Sequence, residues 1–431
     1  MRILIRNKID IVGNYFVTWR LPVLIFSLAI IFIGQSAAAI DTVIIFSAMD
    51  ARPSHADSIR QEVADLVRAN RAKGRTVIIA TPKPEMMARA DATVLSVDGR
   101  PGTLDPLLKR ARETLGPGNR LFIEFIGTGA NLNQSAGRPN PTGVFFIKDG
   151  DETLSNTELH HWEIAEAIKK NIPSANPIVV LGAYGGAKSL VRFYSSYENG
   201  SCGVAGPTKN IQGFDQTAEK YLQQLHSPVP SADLDHDGVI SLLEAHISAT
   251  IASELQPESS SFSSLAFVNQ VFDHQALDNS DGFTADLVEL VDKIGGIPRS
   301  PLIPDDCNCR AEAGMLTANG KKILAYRNSL ISQYNMIYSQ NAEEIGVLIK
   351  EISATKEKWA SMTFMQKIES ITEQRDLTDQ QTAKVKKFSA YFGATAMASQ
   401  LNRILSVYKL PYGAALRAKE NLDSVLACET R

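Results

Sequence analysis

The sequence predicts an α/β protein: a three-layer, mostly parallel sheet, followed by an all-α helical hairpin or coiled-coil region. Two patterns carry this. Short apolar runs recur at wide spacing between Thr42 and Gly182 with helical patterns between them, and from Leu324 to Val425 only helix is legible. A chain of 431 residues also exceeds what one ordinary core needs, so a folded part with an appendage, or two parts, is expected.

The apolar runs are Thr42–Ser47, Thr76–Ala80, Leu121–Gly127 and Pro177–Gly182. They are short and rich in β-branched and aromatic residues, as strands buried on both faces are. Helical patterns separate them. One covers about 56–73, with Ile59, Val63, Leu66 and Val67 on one face, and another covers about 104–115. A third is expected to open with a capping box at Ser155 and Glu158 and to run to about Lys170. Strands alternating with helices build right-handed βαβ units and a mostly parallel sheet. Gly143–Gly150 reads as a small strand with a turn.

The α/β part is assigned to residues 40–297. Pro298, Pro301 and Pro304 open a linker over 298–310, and residues 311–431 form the helical region. There Ile331, Tyr334, Tyr338, Ile345, Leu348, Ile352, Trp359 and Met362 recur in threes, fours and sevens, a coiled-coil-like seam. This region is the expected surface for a protein partner or for oligomerisation; its simpler reading is an arm laid on the α/β core. A composition 44% hydrophobic and 21% charged is that of a globular protein, and a net charge of −3 with no Lys/Arg block leaves no nucleic-acid footprint.

Residues 1–39 stand apart. Arg2, Arg6, Lys8 and Arg20 outweigh Asp10. An uncharged run from Leu21 to Gly34 follows, and then Ala37-Ala38-Ala39. A basic start, an apolar stretch and an Ala-x-Ala site read as a secretory signal peptide, so the protein is expected to be periplasmic or secreted. The run is shorter than the about 20 residues of a spanning helix. Left uncleaved, residues 21–39 would serve instead as a membrane anchor. Export permits disulfides. Of Cys202, Cys307, Cys309 and Cys428 no pair has CxxC spacing, so zinc is not expected. An antiparallel helical hairpin would return Cys428 toward Cys307 and Cys309, and the expected disulfide is Cys309–Cys428. Free thiols or another pairing remain alternatives, because connectivity does not follow from sequence.

The segment Asp233–Glu244 (DLDHDGVISLLE) matches the twelve-residue EF-hand calcium loop at every position. Asp233, Asp235 and Asp237 supply carboxylates, Gly238 permits the sharp turn, and Val239 offers its carbonyl. Ser241 sits where a ligand often acts through water, and Glu244 closes the shell with two oxygens. The competing reading is an acidic turn that caps the helix expected over Leu242–Leu255. Pro228 and Pro230 leave no regular first helix, and the segment 277–282 echoes the loop only in part. A lone loop of this kind should bind calcium weakly, with Kd of about 10⁻⁴ M, and act as a staple more than a sensor.

The α/β part resembles a family on four segments. Pro53–Ser58 follows the first strand. Phe122–Gly129 (FIEFIGTG) is similar to a third strand that ends in a histidine-glycine pair. Ile178–Gly186 (IVVLGAYGG) is similar to a fourth strand that ends in a cysteine and a small turn. Cys202–Pro207 (CGVAGP) is similar to the next strand. These resemble the caspase-hemoglobinase fold of clan CD peptidases, in its legumain-like or bacterial caspase-like branch. The resemblance implies a thiolate nucleophile and a histidine on adjacent strand ends. Here the histidine position reads Thr128, the cysteine position Tyr184, and the Asp two residues before it Gly182. Threonine is no base near neutral pH, and a phenol with a pKa near 10 is a poor nucleophile. No catalytic residue is therefore assigned. The expectation is a pseudo-peptidase that acts as a binding or scaffold module, with room for a peptide in the strand-end crevice. The alternative is an active cysteine peptidase with relocated residues, Cys202 with His160 or His161.

Overall fold

A computed structural model describes residues 40–50, 53–87, 91–127, 129–131, 143–149, 158–184, 187–195, 199–206, 216–252, 261–272, 316–354, 378–409 and 415–431, and the architecture is that of these residues. The segments expected as signal peptide (1–39) and Pro/Cys linker (298–310), with Cys307, Cys309 and Thr128, lie outside them.

Seven strands form the main sheet: β1 (Thr42–Ser47), β3 (Thr76–Thr81), β4 (Thr93–Ser96), β5 (Leu121–Ile126), β10 (Ile178–Gly182), β11 (Cys202–Ala205) and β12 (Ser261–Phe262). Their spatial order is β12-β11-β10-β5-β1-β3-β4. All neighbours are parallel except β12, which runs antiparallel to β11. The four expected strands are there. The short strands β4 and β12 were not legible: Thr93–Ser96 is half-exposed and Ser261–Phe262 is two residues long. A side sheet of β6 (Gly129–Asn131), β7 (Gly143–Phe146) and β9 (Glu158–His160) stands beyond the end of β5, and β2 (Met49–Asp50) pairs with β8 (Lys148–Asp149).

Alternate residues of the apolar runs part to opposite faces, as a strand requires. On one face Val43, Ile45, Val77, Ile79, Phe122 and Val179 join one core; on the other Ile44, Phe46, Ile78, Ile123, Phe125 and Val180 join a second. Fully burying each such side chain contributes about 1.5–3 kcal/mol. Helices α2 (Leu104–Thr114), α3 (His161–Asn171) and α4 (Lys188–Tyr194) cover the second face. Helices α1 (Pro53–Ala72), α5 (Gln216–His226), α6 (Leu242–Ala252) and α7 (Ser263–Phe272) cover the first.

Helix α3 corrects one expectation. It starts at His161, and Glu158 belongs to strand β9. The cap is formed by His160, whose backbone N–H donates to Glu163, and Ser155 lies outside the described residues. Pairing of β9 with β7 keeps the preceding residues extended.

The helical region comprises α8 (Ala318–Ala354), α9 (Asp379–Lys387), α10 (Ser389–Ser406) and α11 (Ala415–Glu429). Ile323, Tyr326 and Leu330 of α8, Met397 and Leu401 of α10, and Leu422 and Leu426 of α11 are buried in the same core as Val43 and Ile45. These helices therefore complete the layer on one face of the sheet, and Asp41–Arg431 is a single compact unit. The far half of α8 forms its own cluster, Ile345, Leu348 and Ile352 against Val385, Phe388, Tyr391 and Phe392. The seam is not continuous. At Asn341 the backbone leaves the helical region (φ −134°, ψ 23°), and Tyr338 is 41% exposed. Trp359 and Met362 fall outside the described residues. No described helix is long and apolar enough to cross a membrane.

The disulfide differs from the expected one. Cys428, at the end of α11, is bonded to Cys202 of β11 with an S–S distance of 2.01 Å. Packing of α11 beside β11 and α7 brings its last turn to the sheet, so Cys428 meets a strand residue rather than Cys309. This bond fastens the C-terminus to the α/β part.

Candidate functional site

The loop Asp233–Glu244 runs from a 3₁₀ turn at Pro230–Ala232 into the first turn of helix α6. His236 and Gly238 both take positive φ, 59° and 84°, and so bend the chain round the acidic side chains. Asp233 accepts the N–H groups of Asp237 (3.2 Å) and Gly238 (3.0 Å), and Asp237 accepts that of Val239 (2.8 Å). One oxygen from each of Asp233, Asp235 and Asp237 lies within 4.8 Å of the others, a group that could hold a metal ion.

Glu244 does something else. It is fully buried, and its carboxylate is turned to the chain of the loop. Oε2 accepts the N–H of Ser241 at 2.9 Å and its hydroxyl at 2.8 Å, while Ser241 Oγ accepts the Glu244 N–H at 3.3 Å. This is a capping box on α6. Oε1 accepts the Leu234 N–H at 2.7 Å and so ties the start of the loop to its end. The structure therefore gathers the three aspartates and places Glu244 and Ser241 as the lock behind them. Val239 is 62% exposed on the outer turn.

Helix α8 reaches the same loop. Lys322 Nζ lies 2.8 Å from Asp237 Oδ2 and 3.8 Å from Asp235 Oδ2. Its hydrogen bond to Asp237 raises the Lys322 pKa above the ordinary value, and that bond, with the Val239 N–H, holds Asp237 below its own. One helical turn on, the Tyr326 hydroxyl is 3.1 Å from Ser241 Oγ. Neither contact was legible in the sequence, which separates these groups by 85 residues.

At the carboxyl ends of the strands, β1 leads toward β3 on one side and β5 toward β10 on the other, the kind of switch point where open sheets bind ligands. Here the described residues pack closely round Tyr184. Gly127 has φ 140°, and a Cβ on it would overlap that of Ala48. A Cβ on Gly129 would overlap the Tyr184 ring and the Val144 carbonyl. Tyr184, just past β10, is buried edge-on against Phe125 (5.8 Å between ring centres) and lies 5.6 Å from Phe145. Its hydroxyl is 2.5 Å from His161 Nε2, and His161 Nδ1 is 2.5 Å from Ser189 Oγ. A neutral imidazole donates through one nitrogen and accepts through the other, which fits one partner on each side. Burial pushes the Tyr184 phenol well above 10 and, with His160 nearby, pulls His161 down to about 3. Both are neutral and locked. His161 is fully buried at the start of α3.

Cys202 and His161 do not meet. Cys202 belongs to the core on one face of the sheet, and His161 packs on Phe125 and Tyr184 of the other. With its sulfur bonded to Cys428, Cys202 offers no thiol. A second buried polar cluster has no local sequence motif. Glu124, in mid-β5, accepts from Asn70 Nδ2 at 3.0 Å and lies 3.2 Å from His226 Nε2. Burial would raise its pKa, but His226, Asn70 and Arg75 outweigh burial and lower it. The one sequence signal is a carboxylate inside a run otherwise read as buried on both faces.

The chain matches no family model, no curated protein and no solved structure. Fold and site define an α/β protein with a three-aspartate loop, which could hold a metal ion, at the junction of its sheet layer and its C-terminal helices.

Proposed function

We propose that the protein is an exported, non-catalytic caspase-like module that binds one calcium ion in the Asp233–Glu244 loop and acts as a binding or scaffold protein through its C-terminal helices. The observation that carries this reading is Tyr184. At the position where the resemblance puts the family's nucleophile stands a buried, neutral phenol whose ring packs against Phe125 and Phe145 and whose hydroxyl is held by a neutral histidine. An inert site of this kind suits retention of the fold for binding rather than cleavage. The disulfide between Cys202 and Cys428 supports an oxidising compartment, and the mostly parallel sheet is compatible with the caspase-like fold.

Calcium fits the loop by donor chemistry: hard carboxylate oxygens on a turn shaped by Gly238. Asp233, Asp235 and Asp237 would hold the ion. Because α8 bears on the same loop through Lys322 and Tyr326, calcium would change how the helical region is held there.

Two measurements test the proposal. Calorimetric titration should give a Kd on the order of 10⁻⁴ M for calcium, and calcium at a hundred times Kd should add about 2.7 kcal/mol to unfolding stability. Fluorogenic peptides with Asp, Asn, Arg or Lys before the scissile bond should not be cleaved. Turnover that survives purification of a Tyr184→Phe variant would point to another site and refute the non-catalytic reading.

A further inference from the structure

Lys322 and Tyr326 lie one turn apart on α8, on the face that meets the loop. The ammonium of Lys322 stands 2.8 Å from Asp237 and 3.8 Å from Asp235, two of the three carboxylates that gather as a cation site. It also lies 3.5 Å from the carbonyl oxygen of Thr430, at the end of the chain. That carbonyl is a second acceptor within reach without any movement of the helix. Tyr326 stays on Ser241, outside the aspartate group.

We propose that Lys322 is the loop's internal counter-cation: it competes with a divalent ion for Asp235 and Asp237, and the ion's arrival transfers its ammonium to the Thr430 carbonyl. The inference rests on the calcium reading above and deepens it. An ammonium and a calcium ion about 5 Å apart repel, and even with the full screening of water that repulsion lowers affinity about tenfold. Lys322 thus sets the loop to respond to calcium at the high concentrations found outside the cytoplasm. It also makes metal occupancy change how α8 holds the loop, because the Lys322 contact is exchanged while the Tyr326 contact persists.

The test is calorimetric titration of the purified protein with calcium chloride, for the wild type, Lys322→Met, Lys322→Gln, Lys322→Arg and Lys384→Met. Lys384 pairs with Glu351 at the other end of α8, so its substitution removes the same net charge away from the loop. Lys322 is a partly exposed side chain, and its variants should fold. The expected result is a Kd about tenfold lower for Lys322→Met and Lys322→Gln, with Lys322→Arg and Lys384→Met close to the wild type. Equal affinity for Lys322→Met and the wild type, or a gain matched by Lys384→Met, overturns the proposal and leaves the calcium site standing. No binding by any of the proteins overturns the calcium reading and this proposal together.

Discussion

Glu429 gives the sharpest prediction. It is the last residue of α11, beside the disulfide residue Cys428, and it is fully buried. One carboxylate oxygen accepts the Ser264 N–H at 2.8 Å. Burial raises its pKa from 4.5 to about 7, against the lowering effect of its bonds to Ser264 and Ser263. A position at a helix C-terminus also disfavours negative charge. In the window between those values the folded state keeps a proton that the unfolded state has lost, so stability falls as pH rises. Each pH unit of that window is worth about 1.4 kcal/mol, which makes the full effect about 3 kcal/mol. Glu429→Gln keeps an acceptor for Ser264 and cannot ionise. Urea unfolding of both proteins from pH 4.5 to pH 8 should show the variant gaining on the wild type by about 3 kcal/mol across the range, whatever its offset at pH 4.5. Parallel stability curves would refute the claim that Glu429 is held protonated in the fold.

Four more outcomes are expected of the same structure. His161 and His246, each pulled by burial from 6.5 to about 3, stay neutral in the fold while the unfolded chain takes up protons. Their contribution is therefore lost as pH falls from 6.5 toward 3, and His246→Gln should flatten that acid limb in a denaturant series. Tyr184→Phe leaves the His161 ring nitrogen buried without its 2.5 Å partner and should cost about 1–3 kcal/mol. Gly129→Ala, which forces a methyl into the Tyr184 ring, should cost about 1–3 kcal/mol by overpacking; unchanged urea midpoints would contradict both. Cys428→Ser opens a link across 226 residues and should lower stability by about 2–5 kcal/mol, matched in the wild type by a reductant and read by thermal unfolding.

The sequence determined what depends on neighbours along the chain. Short, largely apolar runs such as Thr42–Ser47 are read as buried on both faces, so they named four strands of the sheet and the layers around it. The acidic loop was legible because its three aspartates and the glycine that turns it lie within a few residues of one another. Tertiary structure decided whatever depends on partners far apart in sequence. The start of α3 moved to His161 because β9 pairs with β7. Glu244 became a lock on the loop because capping α6 and holding the Leu234 N–H satisfy its buried carboxylate. Cys428 found Cys202 because α11 lies beside β11, although the hairpin argument pointed to Cys309. Lys322 reached Asp237 across 85 residues for the same reason: once helices pack to bury their apolar faces, the polar residues on the rims of those faces meet partners that no local pattern encodes.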